Sequence, residues 1–161
     1  IQSQWAALES FYAQKKAKSI GVSNFCVSCL DCLAKNASAT VPAVNQIEYH
    51  IGMGADPEGL VSTCVARGIV PQAYSPLGDS TPELISGDLV TSIGAAHNKS
   101  GVQVALRWIY QHGVAVTTKS TNAAHLAQDL DIFDWKLTDA EQARADAAAK
   151  PKGTPSFMCS K

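Results

Sequence analysis

Short β-branched runs alternate with stretches of helical periodicity along this 161-residue chain, and the alternation repeats four times without a low-complexity linker. Trp5, Leu8 and Tyr12 fall at helical spacing, and Lys15, Lys16 and Lys18 then suit the negative end of a helix dipole. A strand is expected from Ser19 to Val22, a helix from Val27 to Lys35 and, after Pro42, a second strand from about Val44 to Ile47. Asp56 and Pro57 read as N-cap and first-turn residue of a helix closed by Gly68, with a third strand from Ile69 to Tyr74. The stretch Pro76 to Pro82 reads as loop and Asp88 to His97 as helix. Ser100 and Gln103 have capping-box spacing ahead of a helix ending near Gly113, and Val114 to Thr118 form the fourth expected strand. Asn122 caps a helix to about Leu130, and Thr138 with Glu141 open an Ala-rich helix expected to run to Pro151. An irregular tail is expected from about residue 150, and the whole of 1–161 reads as one domain.

Strands that alternate with helices favour a parallel sheet, because a parallel connection needs a crossover of a dozen or more residues. In such folds ligands gather at the C-terminal ends of the strands. The four exits carry Ser23 and Asn24, then Gln46 and Glu48, then Tyr74 and Ser75, and finally Lys119 and Ser120. Amide and hydroxyl groups can pair with both halves of a carboxamide, and the Tyr74 ring offers a flat face for stacking. Lys119 and Ser120 precede a helix whose first N–H groups suit a phosphate. Taken singly, Ser23 and Asn24 are equally well explained as turn residues and Tyr74 as core; their joint occurrence at successive exits favours a binding mouth.

Composition narrows the classes. The chain is 46% hydrophobic and 17% charged, with a formal net charge of −1, so it reads as globular and lacks the basic footprint that nucleic acid demands. No apolar run approaches the roughly 20 residues of a membrane span and no signal-peptide pattern opens the chain, so a soluble, cytoplasmic protein is expected. The five cysteines, Cys26, Cys29, Cys32, Cys64 and Cys159, are odd in number and irregularly spaced, which makes reduced thiols the expectation. Cys26, Cys29 and Cys32 echo the opening of an iron–sulfur run but lack a fourth cysteine at the required spacing, so no metal site is assigned. His97 and His112 read as solvated residues near helix ends, and Asp139, Glu141, Arg144 and Asp146 as an exposed helical face.

Six ordered motifs carry a family resemblance: Ser19 to Phe25 (SIGVSNF), Val44 to His50 (VNQIEYH), Ala73 to Gly78 (AYSPLG), Gln103 to Trp108 (QVALRW), Lys119-Ser120, and Ile132 to Asp134 (IFD). Together they resemble the aldo-keto reductases, and the match runs from Trp5 to about Glu141. The resemblance implies a parallel (β/α) barrel of TIM type, of which this chain supplies about the last four β/α units, a half barrel. It further implies NADP(H) bound in extended form. Ser23, Asn24 and Gln46 would hold the carboxamide and Tyr74 would stack on the nicotinamide. Ser75, Leu77 and Gly78 would line the pyrophosphate, while Lys119 and Ser120 would meet the adenosine-side phosphates, with Asn122 among the cofactor-site residues beside them.

The pattern also breaks. A complete barrel of this type takes about 250 residues, and the family's catalytic Asp, Tyr, Lys and His come from its first four strands, so the resemblance assigns no catalytic residue here and the chain alone is expected to be inactive. Where the family commonly carries an Arg that grips the 2′-phosphate and an Asn near the adenine, this sequence has His125 and Asp129, which leaves NAD(H) an open alternative. Two readings of function remain: the cofactor-binding side of an NAD(P)H-dependent reductase of aldehydes and ketones, or a non-catalytic structural or regulatory subunit. Either requires a partner, a second chain or the missing N-terminal half, to cover the strand edges.

Overall fold

The computed structural model describes residues 1–35 and 40–152; Cys159 and the expected tail beyond Lys152 lie outside the described residues. Helix α1 (Gln2–Ala13) leads to strand β1 (Val22–Ser23), α2 (Val27–Ala34) and β2 (Val44–Glu48). A 3-10 turn (Pro57–Gly59) precedes α3 (Leu60–Ala66), and β3 (Val70–Tyr74) follows. Helices α4 (Pro82–Ser86), α5 (Asp88–His97) and α6 (Gly101–Gln111), strand β4 (Ala115–Val116), and helices α7 (Ala123–Leu130) and α8 (Asp139–Asp146) complete the order. The four strands form one parallel sheet in the order β1-β2-β3-β4, with Val22 opposite Asn45 and Ser23 opposite Gln46.

Contacts cluster into two compact units, one comprising Ile1–Ile47 and Asp56–Gln72, the other Glu48–Ala55 and the described residues from 73 onward. In the first, Trp5, Ile20 and Leu33 form a buried cluster with Val22 and Phe25 packed against it. The Trp5 indole donates to the Thr40 carbonyl at 3.1 Å. Leu8 and Tyr12, placed on the same apolar stripe by their spacing, are instead exposed. Asp56 caps α3 from a distance. Its Oδ1 accepts from Val61 and Ser62 N–H groups at 2.7 and 3.2 Å. The helix therefore starts at Leu60, after left-handed Glu58 and Gly59, and not at Pro57.

The second unit is organised by α6, in which Gln103 to Ile109 are all buried. Tyr49 stacks on Trp108 at 4.9 Å between ring centres, and the Trp108 indole donates to Asp146 Oδ1 at 2.7 Å. Both expected capping boxes form, at Ser100 with Gln103 and at Thr138 with Glu141. Of the charged residues of α8, Asp139 and Arg144 are exposed as expected, whereas Glu141 and Asp146 depart from the solvated face. Glu141 Oε2 lies 2.9 Å from His97 Nε2 and Asp146 Oδ1 lies 2.8 Å from His112 Nε2, so both histidines sit in pairs that join α8 to earlier helices. The helix ends at Asp146, short of Pro151. Among the described residues no helix is long and apolar enough to cross a membrane.

Two glycines are fixed by close approach. A Cβ on Gly94 would lie 2.3 Å from the Lys99 carbonyl, and one on Gly101 would lie 2.4 Å from that of Ile85. Alanine normally stabilises a helix by about 1 kcal/mol over glycine. Here Gly94→Ala and Gly101→Ala are expected to destabilise by about 1–3 kcal/mol through backbone displacement. Thermal unfolding checks this; a raised Tm in either variant contradicts the packing described.

Acid stability follows from two carboxylates. Burial pushes the Glu141 carboxyl up, but hydrogen bonds from Thr138 and His97 outweigh it and leave the group below its ordinary 4.5. Lys99, then Gln103, hold Asp131 below its ordinary 3.8. A carboxylate depressed in the folded state contributes stability that is complete above its unfolded value and lost as pH falls through the folded one. The urea midpoint should therefore fall as pH is lowered from about 5 towards 3, and less steeply in Glu141→Gln than in the native chain. An equal slope in both removes Glu141 from the explanation.

Candidate functional site

Left-handed backbone is concentrated in the turn after β3. Ser75, Asp79 and Ser80 have φ of 47°, 56° and 72°, with Gly78 at 56° between them. Non-glycine residues seldom adopt this left-handed region, and such outliers persist where surrounding bonds hold them. Here the Gly78 amide donates to the Ser75 carbonyl at 2.9 Å and the Thr81 amide to the Leu77 carbonyl at 2.9 Å. The buried Thr81 hydroxyl donates to the Gly78 carbonyl, and Ser75 Oγ donates to Asp79 Oδ1 at 2.5 Å. The Pro82–Ser86 helix starts immediately, at the end of the loop expected from Pro76 to Pro82, in a stretch to which the sequence assigned no element.

The exit of β4 is held beside this turn by the Thr117 amide, which donates to the Ala73 carbonyl at 2.9 Å. The strand is only two residues long, so Thr117 to Ser120 are irregular backbone rather than strand. Ser120 Oγ accepts from the Asn122 amide at 3.1 Å, and Asn122 Oδ1 accepts from the Ala124 amide at 2.9 Å, so the two residues together start α7.

These elements enclose a cleft of about 780 Å³. Tyr74, Ser75 and Leu77 reach it from the β3 exit, Lys119 and Ser120 from the β4 exit, and His125 and Asp129 from one face of α7. Ser100, the N-cap of α6, also lines it, which brings the first turn of that helix to the wall. The sequence reading had missed Asp79, Thr117, Thr118 and Gln128, all of which line the cleft. Gln128 was findable: it lies three residues after His125 and one before Asp129, on the same helical stripe. Lys119 and His125 are exposed, and Asp129 is half-buried.

Gly78 and Asn122 do not line this cleft. Gly78 is buried and shapes the turn through its left-handed φ, whereas Asn122 acts as helix cap. Ser23, Asn24 and Gln46 belong to the first unit. There Ser23 Oγ donates to the Gln46 carbonyl at 3.0 Å, and the Asn24 amide donates to the same carbonyl at 2.9 Å. Asn24 adopts a left-handed φ of 56°, and the Gln46 side-chain amide donates to Gln72 Oε1 at 2.7 Å. Glu48, expected at a strand exit, is only 2% exposed and faces His50 Nε2 at 3.5 Å. Among the described residues no group of three or more His, Cys, Asp or Glu side chains could hold a metal ion. Cys29, Cys32 and Cys64 are thiols, as expected. Burial pushes the Cys64 thiol up from its ordinary value, which keeps it protonated and unreactive.

A model of the aldo/keto reductase family matches residues 1–150. A glyoxal reductase of Bacillus subtilis is 39% identical over 146 residues, covering 91% of this chain and 51% of its own length. A probable NAD(P)H-dependent D-xylose reductase of Neosartorya fischeri is 38% identical over 153 residues, covering 88% of this chain and 47% of that protein. The crystal structure of an aldo-keto reductase from a Medee basin deep-sea metagenome library superposes with a TM-score of 0.84 at 30% identity, over 96% of this chain and 55% of that one. The chain thus spans about half the length of the curated relatives it matches. Its parallel strands and helices correspond to roughly half of a TIM barrel. The family match over residues 1–150, together with the ordered motifs at the strand exits, establishes that this chain belongs to the aldo/keto reductase family.

Proposed function

We propose that residues 1–161 form the nicotinamide-dinucleotide-binding side of a carbonyl reductase, one C-terminal half-barrel unit that serves an enzyme reducing aldehydes or ketones to alcohols. The observation that carries this reading is the cleft in which Tyr74, Ser75, Leu77, Lys119, Ser120, His125 and Asp129 converge. Such a cofactor needs an aromatic face, backbone or hydroxyl donors for its phosphates, and a cation. The donor set meets these needs: Tyr74 supplies the ring, the 75–78 turn and Ser120 the donors, Lys119 the charge, and the first turns of α6 and α7 add partial positive charge. When bound, the cofactor supplies the hydride for the substrate carbonyl.

In this assignment Ser23, Asn24 and Gln46 bind the carboxamide, a role supported by the family resemblance. Gly78 contributes by letting the pyrophosphate-side turn form, and Asn122 by fixing the start of α7. No residue of the chain takes the part of the catalytic Asp, Tyr, Lys or His; those groups, and the strands that close the barrel, come from the remaining half of the enzyme or from a second chain. The enzyme acts on a small-molecule carbonyl compound, and its place is the cytoplasm. NADP(H) is the cofactor that the family resemblance favours, and NAD(H) the alternative raised by His125 and Asp129.

Isothermal titration of the protein with each reduced dinucleotide tests the reading. Lys119→Gln is expected to weaken binding about tenfold, the size of one lost charge-assisted hydrogen bond. Tyr74→Ala should weaken it by about threefold to tenfold through loss of ring stacking. If folded protein binds neither cofactor, or if both variants bind as tightly as the native chain, the proposal is wrong. The 161-residue chain alone should give no carbonyl turnover, and measurable turnover would overturn the assignment of the catalytic groups elsewhere.

A further inference from the structure

Glu48 and His50 form a buried acid–base pair that the cofactor cleft does not use. Both belong to the second unit, and they flank Tyr49 at the exit of β2. Glu48 is 2% exposed and His50 is fully buried. Their facing atoms, Glu48 Oε1 and His50 Nε2, lie 3.5 Å apart, and each is closed off from solvent without a hydrogen-bond partner. Among the described residues no other charged group pairs with either side chain. An ionised carboxylate oxygen left in such a place forfeits its hydration and gains nothing in return.

The second ring nitrogen of His50 decides what is missing between them. Nδ1 lies 2.8 Å from the Ile51 carbonyl, and a carbonyl oxygen only accepts, so Nδ1 carries a hydrogen. In a neutral imidazole Nε2 is then a bare acceptor. An ionised Glu48 presents it with another acceptor, so two lone pairs would oppose each other across a dry gap. One proton removes the conflict whichever atom holds it. A protonated carboxyl donates to Nε2, or an imidazolium donates to the carboxylate, and in both cases the pair is neutral overall, the state that burial favours. No proton leaves two acceptors and a net negative charge, and two protons leave two opposed donors and a net positive one.

We propose that Glu48 and His50 are a proton-binding site, which at neutral pH holds one proton between Oε1 and Nε2 and thereby positions the loop of residues 49–55. The ligand is the proton itself, and no group from outside the pair is needed to complete the bond. Tyr49 shows what the loop supports. Its ring stacks on Trp108 at 4.9 Å, its hydroxyl donates to the Ala55 carbonyl at 2.8 Å, and its amide donates to the Tyr74 carbonyl at 3.4 Å. The shared proton therefore fastens a loop that meets the β3 exit through backbone, next to the ring that lines the cleft. Glu48, which the sequence places among the polar groups at the strand exits, contributes as an internal tie rather than as a ligand contact.

NMR of the full-length protein carrying 15N-histidine and 13C-glutamate, at about pH 7 and without ligand, counts the proton directly. Glu48→Gln and His50→Gln assign the two resonances. One proton is expected: either both ring nitrogens of His50 bear hydrogen and Glu48 is ionised, or Nε2 is bare and the Glu48 carboxyl is protonated. A bare Nε2 facing an ionised Glu48 overturns the proposal and points to a buried water or an outside donor, and two protons overturn it as well. Hydrogen exchange of amides 49–55 tests the positioning role. Glu48→Gln keeps a donor for Nε2 without the extra proton, so exchange should stay near native and His50 should read as a neutral imidazole bearing hydrogen on Nδ1. Glu48→Leu leaves Nε2 buried and unpaired, and exchange in the loop should quicken about tenfold. Equal exchange in the Gln and Leu variants overturns the positioning role, and His50 protonated on both nitrogens in Glu48→Gln overturns the sharing of the proton with Glu48.

Discussion

The side-chain amide of Gln103 is the interaction on which the second unit depends. The residue is 4% exposed, so each of its polar atoms must find a partner or forfeit its hydration. Its Oε1 accepts from the Ser100 amide at 2.9 Å and closes the capping box of α6. Its Nε2 donates to the carbonyls of Gln128 and Asp131 at 3.3 and 3.0 Å, and to Asp131 Oδ2 at 2.8 Å. One buried amide thus starts the most buried helix and pins the end of the most exposed one. No residue of α7 is buried, so its position cannot come from apolar packing alone; polar ties must supply it.

That arrangement explains how a solvent-exposed helix can present a defined face to the cleft. Asn122 fixes where α7 begins and Gln103 fixes where it ends, and between them His125, Gln128 and Asp129 lie on one stripe. The opposite wall is set differently, by the left-handed backbone at Ser75, Gly78, Asp79 and Ser80 and by the Thr81 hydroxyl that holds the turn shut. Both walls are therefore preorganised by hydrogen bonds, and the charge they carry is fixed before any ligand arrives.

Much of this was legible in the sequence because it is local. The boxes Ser100–Gln103 and Thr138–Glu141 and the Asn122 cap need only neighbouring residues to satisfy, and each forms as its spacing suggests. Helix Asp88–His97 has the bounds that its periodicity gives. The motifs at the strand exits identified the family before any coordinates. What was not legible depends on partners distant in sequence. Asp56 looked like a cap for an adjacent helix, yet a left-handed step at Glu58 and Gly59 lets it cap one starting at Leu60. His97 and His112 looked solvated because Glu141 and Asp146, which pair with them, lie more than thirty residues away. The apolar run 114–118 exceeded the two residues that form strand, since ladder hydrogen bonding and not β-propensity sets strand length. Asp79 and Gln128 joined the cleft through a turn and a helical stripe whose orientation no single-residue motif encodes.

Hydrogen exchange of the full-length protein with and without NADH tests the central claim most directly, because it reads where the ligand acts without requiring turnover. The account predicts added protection of backbone amides in 74–81 and 117–125, where the two strand exits line the cleft, with α8 unchanged. Saturating NADH binding with no added protection in either segment, or with protection confined to other parts of the chain, would contradict it.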